Sequence, residues 1–210
     1  EKEKNKLLEE GFDLNPLEVK PREKIAKKFW GKLWYQYLST FEDLDYRLLE
    51  GRKLVSANSI LHLDADKLSL KGIIFDEESY NVEIKFEPLS EKQRNLFSSE
   101  VTENVGSLLS LLEGKFSSEM CERIIDESSG LFPKLDEIHF DCPCMDYADL
   151  CKHSSACLIG LAKRFDESPD LFFNLRGLFP ADILNKHKEE SPIELDTEET
   201  SKLFDIDLEN

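Results

Sequence analysis

Four metal-type ligands fall within a dozen residues of this chain, in the stretch Phe140-Asp141-Cys142-Pro143-Cys144-Met145-Asp146-Tyr147-Ala148-Asp149-Leu150-Cys151-Lys152-His153. The pattern is C-x-C-x6-C-x-H. Residues two apart in extended backbone point to the same side, so each pair can offer both of its ligands to one ion. The spacer, residues 145–150, lets the chain turn back and bring the second pair to the first. Three thiolates and one imidazole are the soft, closed, tetrahedral set that structural zinc prefers. The sequence therefore predicts one structural Zn2+ held by Cys142, Cys144, Cys151 and His153.

The same residues could instead form disulfides or hold a catalytic ion. A disulfide between Cys142 and Cys144 would close a very short ring, and the chain carries no secretory signal, which favours a reducing compartment and an intracellular protein. A catalytic zinc keeps one position open for water or substrate, whereas four good protein ligands favour a closed site. There is no phosphate-binding glycine loop and no G-x-S-x-G, so no catalytic residue is assigned. Of the five cysteines, Cys121 and Cys157 lie outside the two pairs. Cys121 reads as an inert thiol on a helix. Cys157, one turn past His153, reads as a small residue packed behind the site, with a substitute ligand as the other option.

With 210 residues, 40% hydrophobic and 34% charged, the chain can build one sizeable domain or two small ones. No apolar run has membrane-spanning length. The balance of 27 basic against 44 acidic residues, net −17, argues against broad coating of nucleic acid. It leaves room for a local contact with DNA or for a basic partner. The chain does not begin with Met, and the reading leaves open that it is a piece of a longer protein.

Periodicity predicts an α+β fold: an N-terminal helix, a small antiparallel sheet and helices, then a C-x-C/C-x-H knuckle and C-terminal helices. Residues 1–24 read as a charged, solvated lead-in with a frayed helix over 1–10. Residues 25–130 read as an N-terminal α+β region, 131–187 as the knuckle and its following helices, and 188–210 as an acidic tail. The aromatic cluster of 25–41 follows the helical period, so Trp30 and Trp34 are expected in a core. Strands are expected over 59–63, 67–75 and 80–86, joined by polar turns at 64–66 and 76–79. His62 lies in the first of them and reads as structural. Ser90 is an expected N-cap for a helix over 91–97. Further helices are expected over 108–113, 117–127, 154–165 and 181–186, with another capped by Ser168 and started by Pro169. A strand carrying Leu135, Ile138 and Phe140 would deliver Cys142, and Tyr147 is expected over the site. Lys152, Lys163 and Arg164 make the helix after His153 the best local candidate for a phosphate contact. Arg176 is expected to pair with acids of the knuckle or to contact a partner.

The tight C-x-C and C-x-H pairs resemble the SWIM zinc finger. Three flanking stretches strengthen that resemblance. Phe29-Trp30-Gly31-Lys32-Leu33-Trp34 is similar to the W-W-G-x-x-W segment of bacterial SWIM proteins. Gly51-Arg52-Lys53-Leu54-Val55-Ser56-Ala57-Asn58-Ser59-Ile60 partly matches their G-R-x-Y-A-R-x-G-x-V stretch, with Leu54, Ser56 and Asn58 departing from it. Ser168 to Gly177 resembles their D-P-x-x-L-F-x-L-R-G tail, with Leu175, Arg176 and Gly177 in place. Such proteins accompany Swi/Snf-type helicase-like ATPases, or are fused to them. The resemblance thus implies a zinc-binding accessory module in DNA-linked work. Direct nucleic-acid binding, a zinc hydrolase and a transposase-derived fragment are the other readings. Loss of the metal is expected to loosen 131–187 and leave the N-terminal sheet folded.

Overall fold

The computed structural model describes residues 2–41, 45–104, 112–115, 122, 124–126, 130–146, 148 and 150–178, without side chains for 45 and 100–104. The chain is α+β, as the periodicity predicts. Helices α1 (Lys2–Glu9), α2 (Phe29–Leu38) and α3 (Asp45–Ser56) precede a meander of β1 (Ile60–Asp66), β2 (Ser69–Asp76) and β3 (Glu78–Phe86). Then come α4 (Glu91–Asn104), a 3-10 turn (Leu135–Glu137), β4 (Ile138–Asp141), α5 (Lys152–Glu167) and the short α6 (Asp170–Asn174). Expected features at residues 105–111, 116–121 and 123, at Tyr147 and Asp149, and beyond 178 lie outside the described residues. These include Cys121, the helix at 181–186 and the acidic tail.

The sheet is four-stranded and antiparallel in the order β1-β2-β3-β4. Its first hairpin corrects the expected turn at 64–66. Asp64 and Asp66 are exposed and alternate with buried Leu63 and Ala65, so they continue the strand period. The turn is instead Lys67-Leu68, both at positive φ, between the paired Asp66 and Ser69. The strand that delivers Cys142 is part of the same sheet, since Ile84 pairs with Phe140 and Phe86 with Ile138. Residues 25–130 and 131–178 therefore share one sheet, and a single main core joins them.

Helix α5 is the centre of that core. It packs against α2, α3, α6 and the inner face of β1, β2 and β3. Ala156, Leu158, Leu161, Ala162 and Phe165 are all buried. Trp30 and Trp34 are buried, as expected of a core helix. Trp30 stacks on Phe172 at 4.7 Å between centroids, and Trp34 donates its indole N–H to the Leu158 carbonyl at 2.8 Å. Each buried indole carries a large apolar area, and each N–H finds a carbonyl, Leu112 for Trp30 and Leu158 for Trp34.

Two glycines set how close the helices come. A Cβ on Gly31 would overlap the Ala162 carbonyl and the Asp166 carboxylate, and one on Gly51 would lie 2.6 Å from Ser155 Cβ. Helix α3 is not among the elements expected from the sequence; Gly51 in its middle weakens the helical pattern while serving the α3–α5 contact. Asp166 also caps α2, accepting the Lys27 N–H at 2.5 Å and the Lys28 N–H at 3.0 Å. Its charge suits a helix N-terminus. Gly31→Ala is expected to force α2 off α5 and cost about 1–3 kcal/mol, read as a shift in the urea unfolding midpoint.

The lead-in is not merely solvated. Leu17 and Val19 are buried in the main core. The Leu17 N–H donates to the Ile60 carbonyl, and Leu63 N–H to that of Asn15, so this segment lies along the edge strand β1.

Candidate metal centre

Each ligand pair is presented by a different element. Cys142 and Cys144 follow β4 directly, on the knuckle. Cys151 is the N-cap of α5, where its sulfur accepts the Ser154 N–H at 3.4 Å, and His153 is in the first helical turn. The four ligand atoms lie within 4.8 Å of one another. A tetrahedral site with metal–sulfur bonds of about 2.3 Å has edges of about 3.8 Å, and Cys142 Sγ stands 3.7 Å from His153 Nδ1. The four side chains that the sequence singled out are thus close enough to hold one metal ion.

The surroundings orient the imidazole. His153 is buried, and its Nε2 meets Asp76 Oδ2 at 3.2 Å. A neutral ring that donates from Nε2 to a carboxylate leaves Nδ1 as the ligand atom, facing the sulfurs. The ring also stacks on Tyr80, with centroids 4.0 Å apart. Asp76 ends β2 and Tyr80 lies in β3, so the tip of the second hairpin forms one wall of the site. Both fall in or beside the stretch read from sequence as a polar turn. Asp76 is 77 residues from His153, and no local pattern could have paired them. On the other side, Arg47 of α3 grips Asp146 with two contacts, at 2.5 and 3.0 Å, and ties the knuckle loop to the helical layer.

Electrostatics concentrate the negative charge at the start of α5. The hydrogen bond from Cys142, followed by contacts with His153 and Ser154, holds the Cys151 thiol well below its ordinary value, against the opposing effect of burial. The same bond to Cys151, then burial, pushes Cys142 up, while burial is the main cause of the rise at Cys144. A thiolate at a helix N-terminus is favoured by the helix dipole. Metal would replace the protons on the remaining thiols, so its affinity falls as pH falls.

Asp76 is itself held below the usual carboxylate range, chiefly by the Lys152 ammonium at 2.5 Å and also by His153, with burial opposing. A carboxylate with a lowered folded-state pKa stabilises the fold above its unfolded value, and that contribution is lost as pH falls through the lowered one. Asp76→Asn is expected to keep the fold and weaken metal binding about 10–100-fold, measured by competition with a chromogenic chelator.

The remaining candidate residues are not gathered into a basic surface. Helix α5 runs on to Asp166 and Glu167, so it carries acids as well as bases. Lys152 is paired with Asp76, and Lys163 lies 3.9 Å from Glu167. Arg164 is 9% exposed. Its Nη2 donates to the Asn15 carbonyl at 2.7 Å and to that of Pro16 at 3.1 Å, and its Nε to that of Leu63. It clamps the N-terminal segment to the core. Arg176, 1% exposed, donates to the carbonyls of Leu131 and Glu87 and pairs with Glu137 at 2.8 Å. That is the structural role, with Glu137 as the acid. Cys157 is fully buried, and its sulfur lies 2.6 Å from where a Gly72 Cβ would stand, so it packs between α5 and β2 rather than joining the ligand set. His62 Nδ1 accepts the Asn15 N–H at 3.1 Å, a structural use.

Comparison with known proteins gives one similarity of note. The chain is 27% identical over 165 residues to "Uncharacterized protein Rv2102" of Mycobacterium tuberculosis. The match covers 76% of this chain and 58% of that protein, so this chain spans little more than half of that protein's length. No protein-family model matches the chain. No solved structure matches it. No described helix is long and apolar enough to cross a membrane.

Proposed function

We propose that the Cys142, Cys144, Cys151 and His153 centre takes one zinc ion as a structural staple, and that the chain is a protein-interaction module working beside, or fused to, a Swi/Snf-type helicase-like ATPase. The observation that carries the zinc reading is the convergence of three sulfurs and an oriented imidazole within 4.8 Å, the donor set zinc prefers. Four protein ligands fill a tetrahedron and leave no position for water, which favours a structural ion over a hydrolytic one. The partner reading rests on the SWIM resemblance. It gains support from where the resembling stretches fall: Trp30 to Trp34 on α2, Gly51 on α3 and Phe172 to Arg176 around α6, the helices that pack on α5. Together they pack around α5, whose first turn carries Cys151 and His153.

The test is co-purification from source cells, with and without nuclease, read by mass spectrometry. A helicase-like ATPase that persists after nuclease treatment is the expected result. Recovery of no such ATPase, or its loss with nuclease, would overturn the protein-interaction reading.

A further inference from the structure

A cleft of about 580 Å³ lies between the Pro21 turn, α2 and α3, away from the metal centre. Its lining includes five cations, Lys20, Arg22, Lys24, Lys32 and Arg52, against a single carboxylate, Glu23. This is the reverse of the chain as a whole, where acids outnumber bases 44 to 27. All five cations are exposed. Among the described residues, none of the five side chains has an ion pair or hydrogen bond.

Glu23 is already occupied within the protein. One oxygen accepts the Lys20 N–H at 2.8 Å and the other pairs with Lys27. The Lys27 hydrogen bond is the main cause that takes its carboxyl down to about 2, and Lys163 adds to the positive field there. The one acid therefore braces the turn and offers little repulsion to an incoming anion.

The cleft is also held in shape. The Glu23 N–H donates to the Lys20 carbonyl at 2.9 Å, closing a turn with Pro21 second and Arg22 third, at φ 64°. That third position favours glycine. Here it carries an arginine and projects a guanidinium over the cleft. Across from it, Gly51 lets α3 seat on α5, and the neighbouring Arg52 faces outward. A guanidinium matches phosphate oxygens two at a time. Tyr35 and Arg52 also line an adjoining recess of about 170 Å³, whose other walls include Leu38, Leu48 and Ile159. Cations at one end and an aromatic, apolar recess at the other suit a ligand with a phosphate and a flat heterocycle. The volume falls in the usual range for small-ligand sites.

We propose that this cleft binds a nucleotide unit, its phosphate held by Arg22, Lys32 and Arg52 and its base set against Tyr35. The unit can come from a free nucleotide or from a strand of nucleic acid, and the two share this chemistry. The site stands apart from the zinc and ATPase reading and does not depend on it.

The test uses the metal-loaded full chain with two probes: ATP, followed by calorimetry, and a fluorescein-labelled oligothymidylate, followed by anisotropy. Wild-type protein is expected to bind at least one of them, more weakly as salt rises. The triple variant Arg22→Gln, Lys32→Gln, Arg52→Gln is expected to lose at least about tenfold in affinity, since charge-assisted bonds to phosphate are removed. All three residues are exposed, so its circular dichroism and metal content should match wild type; the single Arg52→Gln variant, with a smaller loss, is a second check on the same surface. Displacement of the labelled strand by millimolar ATP assigns the site to free nucleotides, and binding of the strand alone assigns it to nucleic acid. No binding of either probe at millimolar concentration, or undiminished binding by both variants, would overturn the proposal.

Discussion

His153→Ala is expected to leave the protein unable to hold a metal at the Cys142, Cys144 and Cys151 cluster and to lower its melting temperature by on the order of 10 °C. The side chain does three things at once. Its Nδ1 faces Cys142 at 3.7 Å, its Nε2 meets Asp76 at 3.2 Å, and its ring stacks on Tyr80 at 4.0 Å. Truncation removes a ligand, strips the buried side of Asp76 of a partner and opens a cavity beneath Tyr80. The damage is not confined to the knuckle. His153 sits in the first turn of α5, which packs on α2, α3 and three strands of the sheet. Hydrogen exchange should therefore quicken in β1 to β3 together with α5, in place of the local loosening of 131–187 expected from the sequence. Cys144→Ser separates the two effects. Cys144 is only half-buried, so that variant loses metal affinity with less direct harm to the core. If His153→Ala keeps its full metal content, the ligand assignment fails.

The second large effect is at Arg176. Arg176→Ala is expected to cost about 3–5 kcal/mol of stability, the loss typical of breaking one side of a buried charge pair. The guanidinium satisfies the carbonyls of Leu131 and Glu87 and pairs with Glu137, while its own carbonyl accepts the Leu89 N–H. It joins the segment before α4, the 3-10 turn before β4 and the end of α6. Burial pulls its pKa down, opposed by Glu137, and the remaining attraction is what the mutation removes. Arg176→Met keeps much of the volume without the charge and should cost less than Arg176→Ala only if Glu137 can turn to water. Urea unfolding of both variants measures this. A wild-type midpoint for Arg176→Ala would place the side chain at the surface, free for a partner.

The features read correctly from sequence are those whose cause is local. The ligand set was legible because each pair is separated by one residue and both pairs lie in one short stretch. The meander was legible because Val82, Ile84 and Phe86 alternate with polar neighbours. The same rule, applied without regard to residue type, would have kept Asp64 and Asp66 in β1, since they hold the outward positions beside Leu63 and Ala65. What was not legible depends on distance in sequence. Nothing near His153 points to Asp76 or Tyr80, which the second hairpin brings to it. Nothing in the charge of Arg164 or Arg176 says that each would be buried among main-chain carbonyls. Counting Arg164 as a surface base assumes an exposure that tertiary packing removes. The lead-in was misread for a similar reason: its charges are conspicuous, while the buried Leu17 and Val19 become part of the core only once β1 is beside them.

The metal content of the protein tests the central claim most directly. Protein purified without metal-affinity steps, and measured by inductively coupled plasma mass spectrometry, is expected to carry one zinc per chain, lost on substitution of Cys142, Cys151 or His153. Protein that is folded, reduced and free of metal, or whose metal survives those substitutions, would contradict the account.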